Sequence, residues 1–152
     1  MSNKKLQIEQ LETRIRLLSP ARTLPNPPTG WIRAIRLTLG MTLQQLGNKL
    51  SITKQSVRTM EIREKEGAIT LKTLRDTARA MDMDLVYGFV PKEGSLDKYI
   101  EKKAREMAKQ IVLRTSANMK LEDQEVAGER IKKAIDDRTA IIKHELPKSL
   151  WD

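Results

Sequence analysis

The feature that most constrains the fold of this chain is the segment Thr42–Glu61, which reads TLQQLGNKLSITKQSVRTME. Leucines recur at helical spacing through its first half, and Val57 and Met60 continue an apolar pattern in its second half. The two halves are separated by Ser51–Thr53, a break of three residues. The segment therefore predicts two short amphipathic helices joined by a tight turn, an arrangement that allows few ways of packing.

The charge pattern around this segment is one-sided. No acidic residue lies between Glu12 and Glu61. The basic residues of the same stretch are Arg14, Arg16, Arg22, Arg33, Arg36, Lys49, Lys54 and Arg58. A surface that meets phosphate groups should exclude carboxylates, because they would repel the polyanion. The helix pair and its charge therefore predict a helix-turn-helix that offers its second helix to the DNA major groove.

Composition argues against other kinds of site. The 152 residues carry a net charge of +9 but no cysteine, so neither a disulfide nor a thiolate metal site can form. The single histidine, His144, cannot supply a zinc site by itself. Aromatic residues make up 3% of the chain, too few for a platform that stacks single-stranded nucleic acid. We expect no metal and no cofactor, with double-stranded DNA as the nucleic-acid partner.

Catalysis and membrane insertion are also disfavoured. His144-Glu145 lacks the second histidine of an HExxH metal site, and no glycine-rich phosphate loop or nucleophile–base pair is recognisable. We therefore expect no catalytic residues and no enzyme. The longest apolar run, Leu85–Val90, is too short to span a membrane, and the N-terminus has no apolar signal core. These features predict a soluble cytoplasmic protein without a membrane partner.

We divide the chain into three regions. Residues 1–28 hold a helical pattern followed by SPARTLPNPP, whose four prolines in ten positions predict an extended linker. Residues 29–91 hold the helix pair, and residues 92–152 form a helical extension. One face of the N-terminal helix carries Ile8, Leu11, Ile15 and Leu18. That face is either the seam of a coiled coil or partner helix, or the face of a helix folded back on its own chain.

Threonines mark the starts of four predicted helices in the middle region. Thr29 precedes a helix over Trp31–Leu39, which Gly40 ends. The other three caps are Thr42, with Gln45 completing a capping box, then Thr53 and Thr70. The helix that begins at Thr53 is predicted to run to about Glu64. The helix after Thr70 carries Leu71, Leu74, Ala78 and Met81 at helical spacing.

A short strand is predicted at Leu85–Val90, because LVYGFV is rich in β-branched and aromatic residues and ends at Pro91. A lone strand has no pairing partner elsewhere in this chain. It must add to another molecule, pair with its own copy across a two-fold axis, or be no strand at all. We favour pairing across the two-fold axis, with the N-terminal apolar face as the alternative dimer seam.

Two further helices are predicted in residues 92–152, over Ser95–Ser116 and over Leu121–Glu145, which Pro147 ends. These 61 residues carry fourteen basic and twelve acidic side chains, a balance typical of solvated helix faces. DNA contacts should therefore lie in the first 91 residues. The expected fold class is all-α, with one short strand.

The middle region resembles the phage-repressor-like helix-turn-helix family of the xenobiotic-response-element type, over roughly Ile32–Met83. The matching positions are an arginine in the first helix, a small residue fifth in the motif, a turn residue, and a glutamate late in the recognition helix. Here these are Arg36, Gly47, Ser51 and Glu61. The resemblance implies a lambda-repressor-like bundle and an ion pair between Arg36 and Glu61. Two positions depart from the family: Leu43 replaces a phosphate-contacting glutamine, and Ser51 replaces the turn glycine.

The recognition helix sorts by face, with Val57 and Met60 pointing inward. The family places its base-reading residues at Lys54, Gln55 and Thr59. Lysine can donate to guanine, glutamine can bond adenine, and a threonine methyl can pack on a thymine methyl. Ser56 and Arg58 flank them and reach bases or phosphates. The full set of predicted DNA-binding residues is Thr42, Thr53, Lys54, Gln55, Ser56, Arg58 and Thr59.

A wider part of the chain resembles a narrower family, the mobile mystery protein A group, whose members are small regulators found beside a Fic-domain partner. The likeness lies in GWIRAIRLTLGMTLQQLG, DLVYGFVPKEGSL and the ending LPKSLWD. It implies an autorepressor or antitoxin-like role. Many Fic inhibitors carry a Ser/Thr-x-x-x-Glu-Gly/Asn helix, but before Glu66-Gly67 and Glu93-Gly94 the hydroxyl position holds Ile62 and Phe89. That device for blocking a Fic active site is therefore not predicted.

Two functions follow as hypotheses. The first is a homodimeric, sequence-specific transcriptional regulator, an autorepressor that reads the major groove with helix 53–64. The alternative is an antitoxin-like interaction protein that binds a Fic-domain partner through its helical tail.

Overall fold

Helices account for all the regular secondary structure in the computed structural model, which describes residues 3–116 and 124–152. The predicted all-α class is confirmed for these residues. Their α-helices are α1 (Asn3–Leu18), α2 (Trp31–Thr38), α3 (Leu43–Leu50), α4 (Lys54–Glu66), α5 (Leu71–Ala80), α6 (Leu96–Ser116) and α7 (Gln124–Glu145). Short 3₁₀ helices cover Ser19–Thr23 and Lys148–Trp151.

The chain forms two compact units. One is Thr23–Gly88, which contains α2 to α5. The other combines Met1–Arg22 with Phe89–Asp152, and so brings α1 together with α6 and α7. The three regions that we drew along the sequence do not show this grouping, because α1 packs on α6, which follows the whole middle unit in the sequence.

The core of the Thr23–Gly88 unit is built from apolar side chains on successive short helices. Leu46 of α3 and Val57 of α4 are completely buried, and Ile32 and Met60 lie beside them. Packing joins α3 to α4 and α5, and α2 to α4. The buried Thr77 satisfies its hydroxyl by donating to the Thr73 carbonyl oxygen at 2.7 Å. The helical spacing in the sequence thus corresponds to one shared apolar core.

Threonine side chains cap three of these helices. The hydroxyls of Thr42, Thr53 and Thr70 accept the backbone N–H three residues later, at 3.0 to 3.1 Å. The fourth expected cap differs, since the residue before α2 is Gly30 and no side chain next to it in sequence caps the helix. Thr29 therefore does not cap α2.

Two boundaries differ from expectation. Helix α4 runs two residues further, to Glu66, and ends at Gly67, whose φ of 76° is readily adopted by glycine. The proline-rich segment is not wholly extended, because Ser19–Thr23 forms a 3₁₀ helix. Pro20 lies in its first turn, where the N–H that proline lacks has no helical partner in any case.

In the other unit, α6 packs against α7 and the C-terminal 3₁₀ helix. Its core comprises Ala104, Ala108, Ile135, Ile142 and Leu150. Helix α1 packs on α6, with Ile15 buried and with the Glu12 carboxylate accepting the Asp97 N–H at 2.8 Å. Of the two alternatives for α1, the helix folded back on its own chain is therefore observed. The predicted start of α7 at Leu121 lies outside the described residues.

The short strand predicted at Leu85–Val90 is not formed in the described chain. Residues 83–91 run without a helix, turn or bend. A strand needs hydrogen bonds to a neighbouring strand, and the described residues contain no strand that could provide them.

Candidate nucleic-acid interface

The link between α3 and α4 is held by three local contacts. Ser51 adopts left-handed angles, φ 58° and ψ 39°, and the Ile52 N–H donates to the Gly47 carbonyl at 2.9 Å. Thr53 then caps α4 through the Ser56 N–H. Serine therefore takes the conformation for which glycine is usual, at a modest cost.

Gly47 permits this turn because its backbone approaches the chain that follows. A Cβ at position 47 would lie 2.7 Å from the Ile52 carbonyl oxygen. That oxygen belongs to the backbone of the turn, so it cannot move aside as a flexible side chain would. Glycine is thus required at this position for steric reasons.

One face of α4 is fixed in the core. Val57 is completely buried, Met60 is 7% exposed and Glu61 is 5% exposed. The remaining positions of the first two turns face solvent: Lys54, Gln55, Ser56, Arg58 and Thr59. The structure thus brings the sequence-predicted recognition residues together on one exposed surface, next to the exposed cap Thr53.

The exposed side chains divide into engaged and free groups. The side chains of Lys54, Gln55 and Arg58 make no hydrogen bond or ion pair to any described residue, so all their side-chain donors are available to a ligand. The Thr53 hydroxyl donates to Ser56 Oγ at 2.9 Å. The Thr59 hydroxyl donates to the Gln55 carbonyl at 3.0 Å, which leaves its methyl group for apolar contact.

Thr42 belongs to the same candidate set but lies at the start of α3. It is exposed, and its hydroxyl accepts the Gln45 N–H at 3.0 Å while its own N–H donates to Gln45 Oε1 at 2.8 Å. This capping box fixes the first turn of α3.

An ion pair anchors α4 to α2. Arg36 donates from Nε and Nη2 to the two carboxylate oxygens of Glu61, with a shortest distance of 2.8 Å. Its Nη1 donates to the Met41 carbonyl at 3.0 Å. Both side chains are buried, so the pair is shielded from solvent, and the two-pronged contact fixes the orientation of the guanidinium. This is the contact that the family resemblance implied.

A second carboxylate of α4 was missed by sequence reasoning. Glu64 accepts the Trp31 N–H at 3.0 Å and the Ile32 N–H at 2.8 Å, and so caps α2 from a distant part of the chain. Gly30 makes room for it: its φ is 87°, and a Cβ there would lie 2.8 Å from Glu64 Oε1. No local sequence signal marks this cap, because donor and acceptor are more than thirty residues apart.

These two contacts decide the charge of the exposed face. Glu61 is neutralised by Arg36, and Glu64 is directed to the start of α2. The third acid of α4, Glu66, lies at the opposite end of the helix from Lys54. The solvent-facing first turns of α4 are therefore cationic and free of carboxylates.

Open grooves lie on both sides of this face. One, of about 620 Å³, runs between α3 and the first turn of α4 and includes Gln44 and Asn48. The other, of about 550 Å³, runs between α4 and the start of α5 and includes Arg63 and Thr70. The exposed face of α4 therefore lies between two open grooves that a large ligand could enter.

Comparisons with protein-family models, curated proteins and solved structures found no match to the chain. Within residues 3–116 and 124–152, no helix is long and apolar enough to cross a lipid bilayer. The same residues contain no group of three or more acidic or histidine side chains placed to hold a metal ion.

Proposed function

We propose that the protein is a sequence-specific transcriptional regulator that binds double-stranded DNA, with α3 and α4 acting as a lambda-repressor-like helix-turn-helix. One observation carries the proposal. Lys54, Gln55 and Arg58 lie unengaged on the exposed face of a helix whose other face is locked in the core. The nearest acids, Glu61 and Glu64, are bonded to groups of α2. This face therefore presents only donors and neutral groups to a polyanion.

The side chains of this face have separate roles in base reading. Lys54 donates to guanine O6 and N7, and Gln55 pairs with the N6 and N7 edge of adenine. Thr59 offers its methyl group to thymine, since its hydroxyl is already bonded within the helix. Arg58 and Ser56, with the caps Thr42 and Thr53, contact the adjacent phosphates and fix the register of the helix on the duplex.

The functional form is a homodimer on an inverted repeat. One recognition helix reads only a few base pairs, which is too little information to define one site in a genome. Two copies placed one helical turn apart, about 34 Å, double the site. A dimer bound in this way at its own promoter would exclude the polymerase, so autorepression is the regulatory outcome that we favour.

The test begins with selection of the preferred duplex from a random library by the full-length protein. Lys54→Ala and Gln55→Ala should each lose discrimination at particular base pairs, by about 1 to 3 kcal/mol. Lys132→Ala is the matched control, because Lys132 is also an exposed lysine but lies on α7. The proposal fails if no sequence is enriched, or if both recognition variants lose affinity equally for every single-base operator variant.

A second role, the binding of a protein partner, would accompany DNA binding. The sequence predicts the helical tail for this role, and we propose that α1, which belongs to the same unit as that tail, carries the contact. Leu6, Leu11 and Leu17 are exposed on this helix, with Leu17 82% exposed. The resemblance to mobile mystery protein A makes a Fic-domain protein encoded nearby the partner to test. Leu17→Glu should abolish co-purification of such a protein, whereas Arg16→Glu, a neighbouring exposed substitution, should not. Retention of the complex by Leu17→Glu would exclude α1 as its binding surface.

A further inference from the structure

The segment Asp84–Lys92 is an exposed apolar stretch with defined ends. Phe89 is 91% exposed, Val86 73% and Tyr87 59%. A left-handed residue lies just outside each end, Asp82 with φ 57° and Gly94 with φ 94°. Residues 83–91, which lie between these two positions, contain no helix, turn or bend and no residue with positive φ. Apolar side chains on such a segment are costly to leave in water.

One edge of its backbone is open along its whole length. In an antiparallel pair, alternate residues direct both N–H and C=O toward the partner strand. The odd-numbered edge is occupied at its two ends, because the Met83 N–H donates to the Ala78 carbonyl at 2.8 Å and the Pro91 carbonyl accepts from the Gly94 N–H at 3.0 Å. Residues 85, 87 and 89 between these ends make no backbone hydrogen bond to any described residue. The backbones of residues 84, 86, 88, 90 and 92 make no hydrogen bond to any described residue. Pro91, which lacks an N–H, is therefore on the edge that needs none.

We propose that this segment pairs with the same segment of a second copy, antiparallel, around a two-fold axis at Gly88. Asp84 then lies opposite Lys92 of the second copy, and Val86 lies opposite Val90. Tyr87 lies opposite Phe89 at a position without hydrogen bonds, where side chains of the two strands approach most closely. The inference rests on the proposed homodimer and identifies its interface.

Charge selects this register over its neighbours. With the axis at Tyr87, Asp84 would oppose Val90, and Lys92 would oppose Asp82, which is held in a left-handed turn. With the axis at Phe89, Lys92 would oppose Val86. Only the axis at Gly88 places opposite charges together and apolar side chains together.

The two charges are also available for this contact. Neither Asp84 nor Lys92 forms an ion pair within the described chain. The neighbouring acid Glu93 is already bonded to Lys102 at 2.9 Å, so it does not compete for Lys92.

Disulfide trapping reads the register directly, because the natural chain has no cysteine. Single cysteines are placed at positions 86 to 90 of the full-length protein and oxidised at micromolar concentration. Residues opposite each other across the axis are about 5.5 Å apart at Cα, within disulfide range, whereas diagonal positions are about 7 to 8 Å apart. Gly88→Cys should therefore cross-link fastest. Val86→Cys and Val90→Cys should cross-link with each other when mixed but not with themselves.

Leu24→Cys is the control, since Leu24 is 61% exposed and lies outside the segment. Fastest cross-linking at position 87 or 89, or rates no higher than that of the control, would overturn the proposal. Charge reversal gives a second measurement that needs no cysteine. Asp84→Lys and Lys92→Asp should each raise the dimer dissociation constant about 2- to 30-fold, and the double variant should restore it. Failure of the double variant to recover dimerisation would also overturn the register.

These assays contain no DNA, so they separate the interface from the function. Specific binding to an inverted repeat without cross-linking at Gly88→Cys would leave the proposed regulator intact and refute this interface. Cross-linking at Gly88→Cys in a protein that selects no DNA sequence would support this interface and refute the proposed regulator.

Discussion

Removing the charge of Glu61 should destabilise the Thr23–Gly88 unit more than any other single polar change in α4. The substitution Glu61→Gln keeps the size of the side chain but leaves the Arg36 guanidinium without a counter-charge. Both side chains are at most 9% exposed, so water cannot replace the lost interaction. Breaking a buried pair by removing one partner costs about 3 to 5 kcal/mol. A unit of this size typically has about 3 to 10 kcal/mol of stability, so the loss would approach the total.

Urea denaturation of the full-length protein measures this loss. Trp31 reports on the Thr23–Gly88 unit, and Trp151→Phe removes the other tryptophan, which stacks on Tyr99 in the second unit. In that background, Glu61→Gln should lower the free energy of unfolding by about 3 kcal/mol or more. Arg33→Gln is the control, since Arg33 is an exposed arginine on the same helix as Arg36, and it should change stability by less than about 0.5 kcal/mol.

A double substitution tests the electrostatic reasoning itself. Replacing both members by apolar residues, Arg36→Met with Glu61→Leu, removes the unpaired charge and should cost clearly less than the sum of the two single changes. The Met41 carbonyl loses its donor in this variant, which accounts for a remaining cost of about 1 kcal/mol. A loss of less than about 1 kcal/mol for Glu61→Gln, or additive effects of the two single substitutions, would show that an unpaired buried charge is not the cause of the destabilisation.

Gly47, Glu64 and the cationic face of α4 can each be tested separately. Gly47→Ala should lower the free energy of unfolding by about 1 to 3 kcal/mol, because its Cβ would lie 2.7 Å from the Ile52 carbonyl oxygen. Gly128→Ala, which has open space around it, should raise the free energy of unfolding by about 0.5 to 1 kcal/mol. Thermal denaturation of both variants measures the two effects. Glu64→Ala should lower the free energy of unfolding in urea denaturation by about 0.5 to 2 kcal/mol, because it removes the cap of α2. Glu66→Ala on the same helix should leave that free energy nearly unchanged. Affinity for the selected duplex should fall roughly 10³- to 10⁵-fold between 50 and 200 mM salt if the dimer makes about six to ten phosphate contacts. A flat salt response in a fluorescence titration would argue against a phosphate-binding surface.

Local sequence was sufficient to predict the parts of the candidate interface that depend on near neighbours. The caps at Thr42, Thr53 and Thr70 are hydrogen bonds to a residue three positions away, so residue type and spacing are enough to predict them. The inward positions Val57 and Met60 follow from helical period alone. The exposed positions of α4, including Lys54 and Gln55, follow as the complement of that face.

Contacts between distant segments were decided only by the tertiary structure. Glu64 replaces the expected Thr29 as the cap of α2, because packing of α4 brings a carboxylate to N–H groups more than thirty residues away. Helix α1 joins α6 for the same kind of reason, through Ile15 and the Glu12 carboxylate. The segment Leu85–Val90 carries the composition of a strand but has no neighbour in the described chain to pair with. Composition expresses a local preference, whereas a strand exists only when a second backbone satisfies its hydrogen bonds.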